Sequence, residues 1–163
     1  MPTNFPMPAQ DRVRDVLADL MGRTVTVART APVPVEIDGP GPVALADYAA
    51  DGGEIGVLCV ADLRLTNALG AALTMVAPAA VDEAVERLRI DDPTIDNFRE
   101  VVSVLTSLFN TSDTPHVKFR EVHRLPSELP ADTVHLLESP RGRRDFDVSV
   151  EDYGTGRLSL FIG

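Results

Sequence analysis

Two periods of apolar residues run along the chain, and each change of period marks an element. Over residues 11–21, Val13, Val16, Leu17, Leu20 and Met21 recur at helical spacing. Gly22 follows where a left-handed C-cap residue is wanted, so a first helix is predicted there. Residues 23–29 then alternate and are rich in β-branched side chains, and residues 33–37 and 43–48 are shorter runs of the same kind, separated by Pro40, Gly41 and Pro42. Together these three runs predict a small antiparallel meander. Residues 55–60 are a continuous apolar stretch of strand length, with Asp51-Gly52-Gly53 as the turn before it and Asp62 as a helix N-cap after it.

The next helical stretch, residues 63–76, places Leu65, Ala68, Leu69, Ala72, Leu73 and Val76 on one side, with alanine and glycine permitting close helix packing. Pro78 stops it ahead of a second short helix through Val81, Val85 and Leu88. After Asp91, Asp92 and Pro93 a longer helix is predicted from Thr94, its N-cap, to about Phe109, with Asp96 favourably placed in the first turn. Its end is signalled by the polar run 110–115. The remainder predicts a strand over 117–124, a proline-bounded segment around 129–137, and a hairpin pairing 146–150 with 158–162 across a turn at 153–156. The class is α+β, an antiparallel sheet packed against a few helices. No internal repeat is visible. Residues 1–9 carry three prolines and read as an extended tail, leaving residues 10–163 as a single domain.

Composition narrows the function. Of 163 residues, 44% are hydrophobic and 25% charged, the balance of an ordinary folded domain. The formal net charge of -10 repels a phosphate backbone, and the one basic cluster, Arg141, Arg143 and Arg144, reads as a solvated turn, so nucleic acid is not an expected partner. Cys59 is the single cysteine and lies in an apolar strand, which makes it a core residue and excludes an internal disulfide. His116, His123 and His135 have no tight ligand spacing, and Asp91, Asp92 and Asp96 lack the alternation and glycine of a calcium loop, so no metal or other cofactor is expected. A start without basic and apolar signal regions, and the lack of a bilayer-length apolar run, predict a cytoplasmic chain with no membrane role.

The 94–109 helix carries the candidate chemistry. Phe98, Val101, Val102, Leu105, Leu108 and Phe109 share one face and account for a core stripe. Opposite them Asp96, Glu100, Ser103, Ser107 and Asn110 fall within roughly 80° of one another on a helical wheel. A polar strip of this kind is most simply a solvated face, although serine is a mediocre helix former and solvent faces more often carry Lys, Glu or Gln. Short groups suit the close approach of another surface.

At this helix the chain resembles the CheX/CheC-like phosphatases of bacterial chemotaxis. That family places a Glu-x-x-Asn helix after a strand, a helix and a short acidic linker, often with Asp or Ser four residues before the Glu. Here Asp96-Asn97-Phe98-Arg99-Glu100-Val101-Val102-Ser103 stands in that place. The strand at 55–60, the alanine-rich helix through Ala68 to Leu73 and the terminal strands are similar too, covering residues 10–163. The departure from the pattern is Ser103 where the family has Asn, with Thr106-Ser107-Leu108 in place of Ala-Gly-Asn and Asn110 displaced.

The resemblance implies a partner, the receiver domain of a phosphorylated response regulator, whose own magnesium and lysine neutralise charge while the helper positions the attacking water. It implies catalytic positions at Glu100, which would pair with the receiver lysine, and Ser103, which would stand for the water-orienting amide. Asp96, Ser107 and Asn110 would contribute binding. A serine hydroxyl is shorter than an amide by about one to two atoms, and misplacing the water by about 1 Å costs on the order of a hundredfold. Three readings stand open: a receiver-binding protein with weak or no phosphatase activity, an active phosphatase with a variant site, and a structural or assembly module that dimerises by strand addition along the final hairpin.

Overall fold

The computed structural model describes residues 5–35, 37, 39, 41–111 and 116–163. Among the described residues five α-helices and six strands follow one another as α1 (Gln10–Met21), β1 (Val25–Thr30), β2 (Val43–Ala50), β3 (Ile55–Ala61), α2 (Leu63–Leu73), α3 (Pro78–Glu86), α4 (Asp92–Leu105), β4 (Val117–Leu125), α5 (Ala131–Glu138), β5 (Gly142–Val150) and β6 (Gly154–Ile162). The strands form one antiparallel sheet in the order β1-β5-β6-β3-β2-β4. This is the α+β architecture expected from the periodicity.

Strand alternation divides the core. Ala44, Ala46 and Tyr48 of β2 and Val57, Cys59 and Ala61 of β3 join α1, α2 and α4 in the main core, while Leu45, Leu58 and Val60 point the other way and meet Leu125, Phe161 and Leu136 of α5. Burial pushes the Cys59 thiol up to about 12, so it remains an unreactive apolar side chain. Local signals were accurate where they were strong. Gly22 closes α1 at φ 65 and donates its N–H to Ala18 O, and Asp62 caps α2 by accepting from Leu65 N at 2.9 Å. At Gly70 a Cβ would lie only 3.2 Å from Thr94 O, which is the close packing of α2 on α4 that its small residues permit.

Several expectations are overturned. The early meander does not exist: β1 lies at one edge of the sheet with Val25 opposite Val150, while β2 sits between β3 and β4, and the described residues of 31–42 form no strand. Alternation identifies a strand but not its neighbour, which long-range packing chooses. The final hairpin is longer than predicted and turns earlier, through Glu151, Asp152 and Tyr153, with Asp152 at φ 74. Both of its strands are interior, so strand addition along it is sterically closed; the open edges belong to β1 and β4. The main helix begins at Asp92 with Asp91 as N-cap, not at Thr94, because Pro93 is tolerated in a first turn whose N–H groups lack helical acceptors. It ends at Leu105 and tightens into a 3-10 turn, Thr106–Leu108. The proline-bounded segment is α5. Of the predicted tail, residues 1–4 lie outside the described residues, and residues 5–9 are extended but not free, since Phe5 is buried and Arg144 donates to Pro8 O at 3.2 Å.

An internal repeat also emerges that the residues do not show. The series α1-β1-β2-β3 and α4-β4-β5-β6 have the same order, and exchanging their strands turns the sheet order into itself read from the opposite edge. The strand order thus has a pseudo-two-fold about the β3–β6 pair, in which α4 is the counterpart of α1, while α5, between β4 and β5, has no counterpart helix among the described residues.

Candidate functional site

Helix α4 is fixed from below and from both sides. Ile95, Phe98, Val101, Val102 and Leu105 are buried, and the phenol of Tyr48 on β2 donates to Val102 O at 2.6 Å. Toward α2, Asn97 Nδ2 donates to Gly70 O and Thr74 Oγ1, each at 3.2 Å. Toward β4, Arg99 bridges Asp96 at 3.2 Å and Glu121 at 3.0 Å. The outer face is therefore presented by a rigid element.

On that face Asp96, Glu100, Ser103 and Ser107 are all exposed. Asp96 is engaged by Arg99, and Ser107 offers its carbonyl to Arg12 of α1 at 3.2 Å. Glu100 and Ser103, one helical turn apart, have no ion pair or side-chain hydrogen bond among the described residues. The fifth member of the predicted strip stands apart: Asn110 lies beyond the 3-10 turn, donates to Val117 O at 2.9 Å and accepts from Val117 N at 2.8 Å. Its amide closes the loop into β4, because the change from α to 3-10 geometry after Leu105 breaks the 100° progression. On the counterpart helix α1, Arg14 pairs with Asp11 at 3.4 Å and Asp15 at 3.0 Å as solvated helical charges do, while Asp19 is exposed without such a partner among the described residues but has no serine or threonine on its helix beside it.

A second cluster of chemistry-bearing residues was missed by sequence reasoning. Asp47 of β2 is wholly buried under α5, and its carboxylate accepts from Arg120 Nε (3.1 Å) and Nη2 (2.8 Å), His123 Nε2 (2.8 Å), Thr133 Oγ1 (3.1 Å) and Glu121 N (3.1 Å). Burial by itself would raise its pKa, but the hydrogen bonds and charges of Arg120 and His123 outweigh it and hold the carboxyl below its ordinary value. Arg120 reaches inward because the β2–β4 register shifts between Asp47 and Tyr48, leaving it as the extra residue of a bulge. The sequence signal was an acid inside an apolar strand, which requires a cationic partner.

A similar arrangement lies on β5, where the buried Asp145 accepts from Arg143 Nε (2.9 Å), Arg143 Nη2 (3.0 Å) and Ser159 Oγ (2.5 Å). Arg143 is thus a structural group and not part of a solvated turn. In both clusters the central acid has no access to a substrate, and the arginine donors not spent on it go to other protein acceptors, Asp132 and Thr133 for Arg120 and Val33 O for Arg143, so both hold the fold together. No group of three or more His, Cys, Asp or Glu among the described residues is arranged to hold a metal ion, and no helix among them is long and apolar enough to cross a membrane.

Against known proteins, no family model matches the chain and no curated protein matches its sequence. Solved structures do. FliY from Thermotoga maritima aligns over 94% of this chain and 89% of its own at 13% identity, with a TM-score of 0.61. A chain of the FliM–SpeE complex from H. pylori aligns over 94% of this chain and 80% of its own at 5% identity, with a TM-score of 0.67. A CheX–CheY complex from Borrelia burgdorferi, with bound BeF3 and magnesium, aligns over 93% of each chain at 12% identity with a TM-score of 0.45. At these identities the likeness concerns the backbone alone, and on that level the chain has the CheX/CheC-like α+β fold, in the form that FliY and FliM share.

Proposed function

We propose that the protein is a CheC-fold docking protein of chemotaxis or two-component signalling that binds a phosphorylated receiver domain through α4 and contributes little or no hydrolysis. The observation that carries this reading is Glu100: an unpaired carboxylate on a helix pinned on three sides, beside the short side chains of Ser103 and Ser107. A carboxylate held in that way meets a cation on an approaching surface without first losing partners of its own. Ser103 stands one turn further on, where hydrolysis of an aspartyl phosphate would need a longer group to orient water for in-line attack. Its hydroxyl allows close docking and leaves the water poorly placed. Magnesium belongs to the receiver, the protein brings no cofactor of its own, and the encounter takes place in the cytoplasm.

A second reading is favoured by the fold likeness to FliM, one of whose solved structures is a FliG–FliM complex, at a TM-score of 0.52. In that reading the chain is an assembly module without receiver binding, and its open β1 and β4 edges or a homodimer contact carry the interaction. Equilibrium binding of receiver domains from the same organism, loaded with beryllofluoride and magnesium, separates the two. The first reading predicts binding that weakens at least tenfold in Glu100→Ala. Binding untouched by that change, or none to any receiver, supports assembly instead.

A further inference from the structure

Helices α2 and α3 both end on a Schellman motif whose left-handed position holds a large apolar residue in place of glycine. At the end of α2, Met75 N donates to Ala72 O and Val76 N to Ala71 O, with Met75 at φ 59. At the end of α3, Leu88 N donates to Val85 O and Arg89 N to Ala84 O, with Leu88 at φ 55. In this conformation a Cβ crowds the backbone, so a non-glycine residue is disfavoured unless its side chain brings a compensating gain. Leu88 has one: its Cδ2 packs beside Gly41 and half of the residue is covered. Met75 has none within the molecule, since 80% of it faces solvent.

The surroundings of Met75 connect it to α4. Thr74, its neighbour, accepts from Asn97, which precedes Glu100 by one helical turn. Val76 and Asn97 line the same groove of about 210 Å³ between α2, α3 and the start of α4. Val104, one turn past Glu100, is also exposed. Of the five large apolar side chains exposed among the described residues, three stand on α4 or at the end of the helix packed against it: Val104 on α4 itself, and Met75 and Val76 directly after Thr74, which Asn97 holds one turn before the one unpaired acid of α4. The single basic residue of α4, Arg99, is occupied by Asp96 and Glu121, so this surface combines apolar contact with uncompensated negative charge.

We infer that Met75, Val76 and Val104 form the apolar half of a docking surface whose polar half is Glu100 and Ser103, and that its occupant is a receiver domain presenting a cation beside an apolar patch. The inference rests on the function proposed above. A methionine suits the role, because its flexible thioether adapts to a partner's surface. It also explains why an unfavourable backbone position carries an exposed side chain: the compensating contact lies in the complex.

The test measures thermal stability and receiver binding together, using the full chain and beryllofluoride-loaded receivers of the same organism. Met75→Gly relieves the crowded position, so its melting temperature should rise while its affinity falls about tenfold; Met75→Leu should keep near-native affinity, and Val104→Ser should lose several-fold. A side chain with a merely structural role would not move stability and binding in opposite directions. If Met75→Gly and Val104→Ser bind like the wild type while Glu100→Ala does not, the apolar half is wrong and the receiver reading stands. If the wild-type protein binds no receiver, both fall.

Discussion

Asp47 and Glu100 are two acids on neighbouring elements with opposite surroundings. Asp47 is sealed beneath α5 with five hydrogen bonds directed at its carboxylate, whereas Glu100 stands in water on α4 with none among the described residues. A hydrogen-bonded cluster of acid, arginine, histidine and threonine looks more like an active site on paper than a lone glutamate does. Its geometry says otherwise: the donors of that cluster are already taken up by Asp47, Thr133 and Asp132, and α5 closes the approach. Availability, more than richness of chemistry, distinguishes a docking group from a structural one.

The largest effect should come from breaking the buried member of the pair. Arg120→Met leaves the Asp47 charge without its main partner, and unfolding in urea should show a loss of about 3 kcal/mol, near the lower end for a broken buried ion pair because the guanidinium itself is partly solvated. Glu100→Ala in the same assay should move stability by no more than about 0.5 kcal/mol. A Glu100 effect as large as that of Arg120 would erase the contrast.

A smaller effect sharpens it. The folded pKa of Asp47 is held below the carboxyl value of the unfolded chain, so the unfolded state takes up the proton first. The stability contributed by Asp47 is therefore fully present above about pH 4 and is lost as pH falls through the lower folded pKa. Thermal melts between about pH 2 and 6 should decline less steeply in Asp47→Asn than in the wild type. An unchanged slope would mean that other carboxylates govern acid unfolding.

The residues revealed more of the helices than of the sheet. Gly22, Asp62 and Pro78 act within a few residues of themselves, so the end of α1 and the starts of α2 and α3 were legible from local chemistry, whereas α2 stops at Leu73, short of the Val76 that its apolar spacing suggested. The neighbour of β1 was not, because Val25 finds Val150 only through the closure of the whole core, and the pseudo-two-fold became visible only from the strand order. Of the candidate strip, the part within one helix was read correctly as a shared face, from Asp96 to Ser103. Asn110 was lost to it because a wheel extrapolates α geometry through a turn that is 3-10. Asp47 was overlooked because an acid in an apolar strand announces a need for a partner without saying which distant residue meets it, here Arg120 on an edge strand.

The central claim is that α4 offers a docking surface from which the water-positioning group is missing. Phosphate loss from a phosphorylated receiver domain of the same organism, followed in magnesium with and without the protein, tests it most directly. The account predicts a decay rate little changed by the wild type and accelerated by Ser103→Asn, whose amide reaches further than the hydroxyl it replaces. Strong acceleration by the wild type, abolished in Glu100→Ala, would contradict the account and make the protein an active phosphatase with a serine in its site.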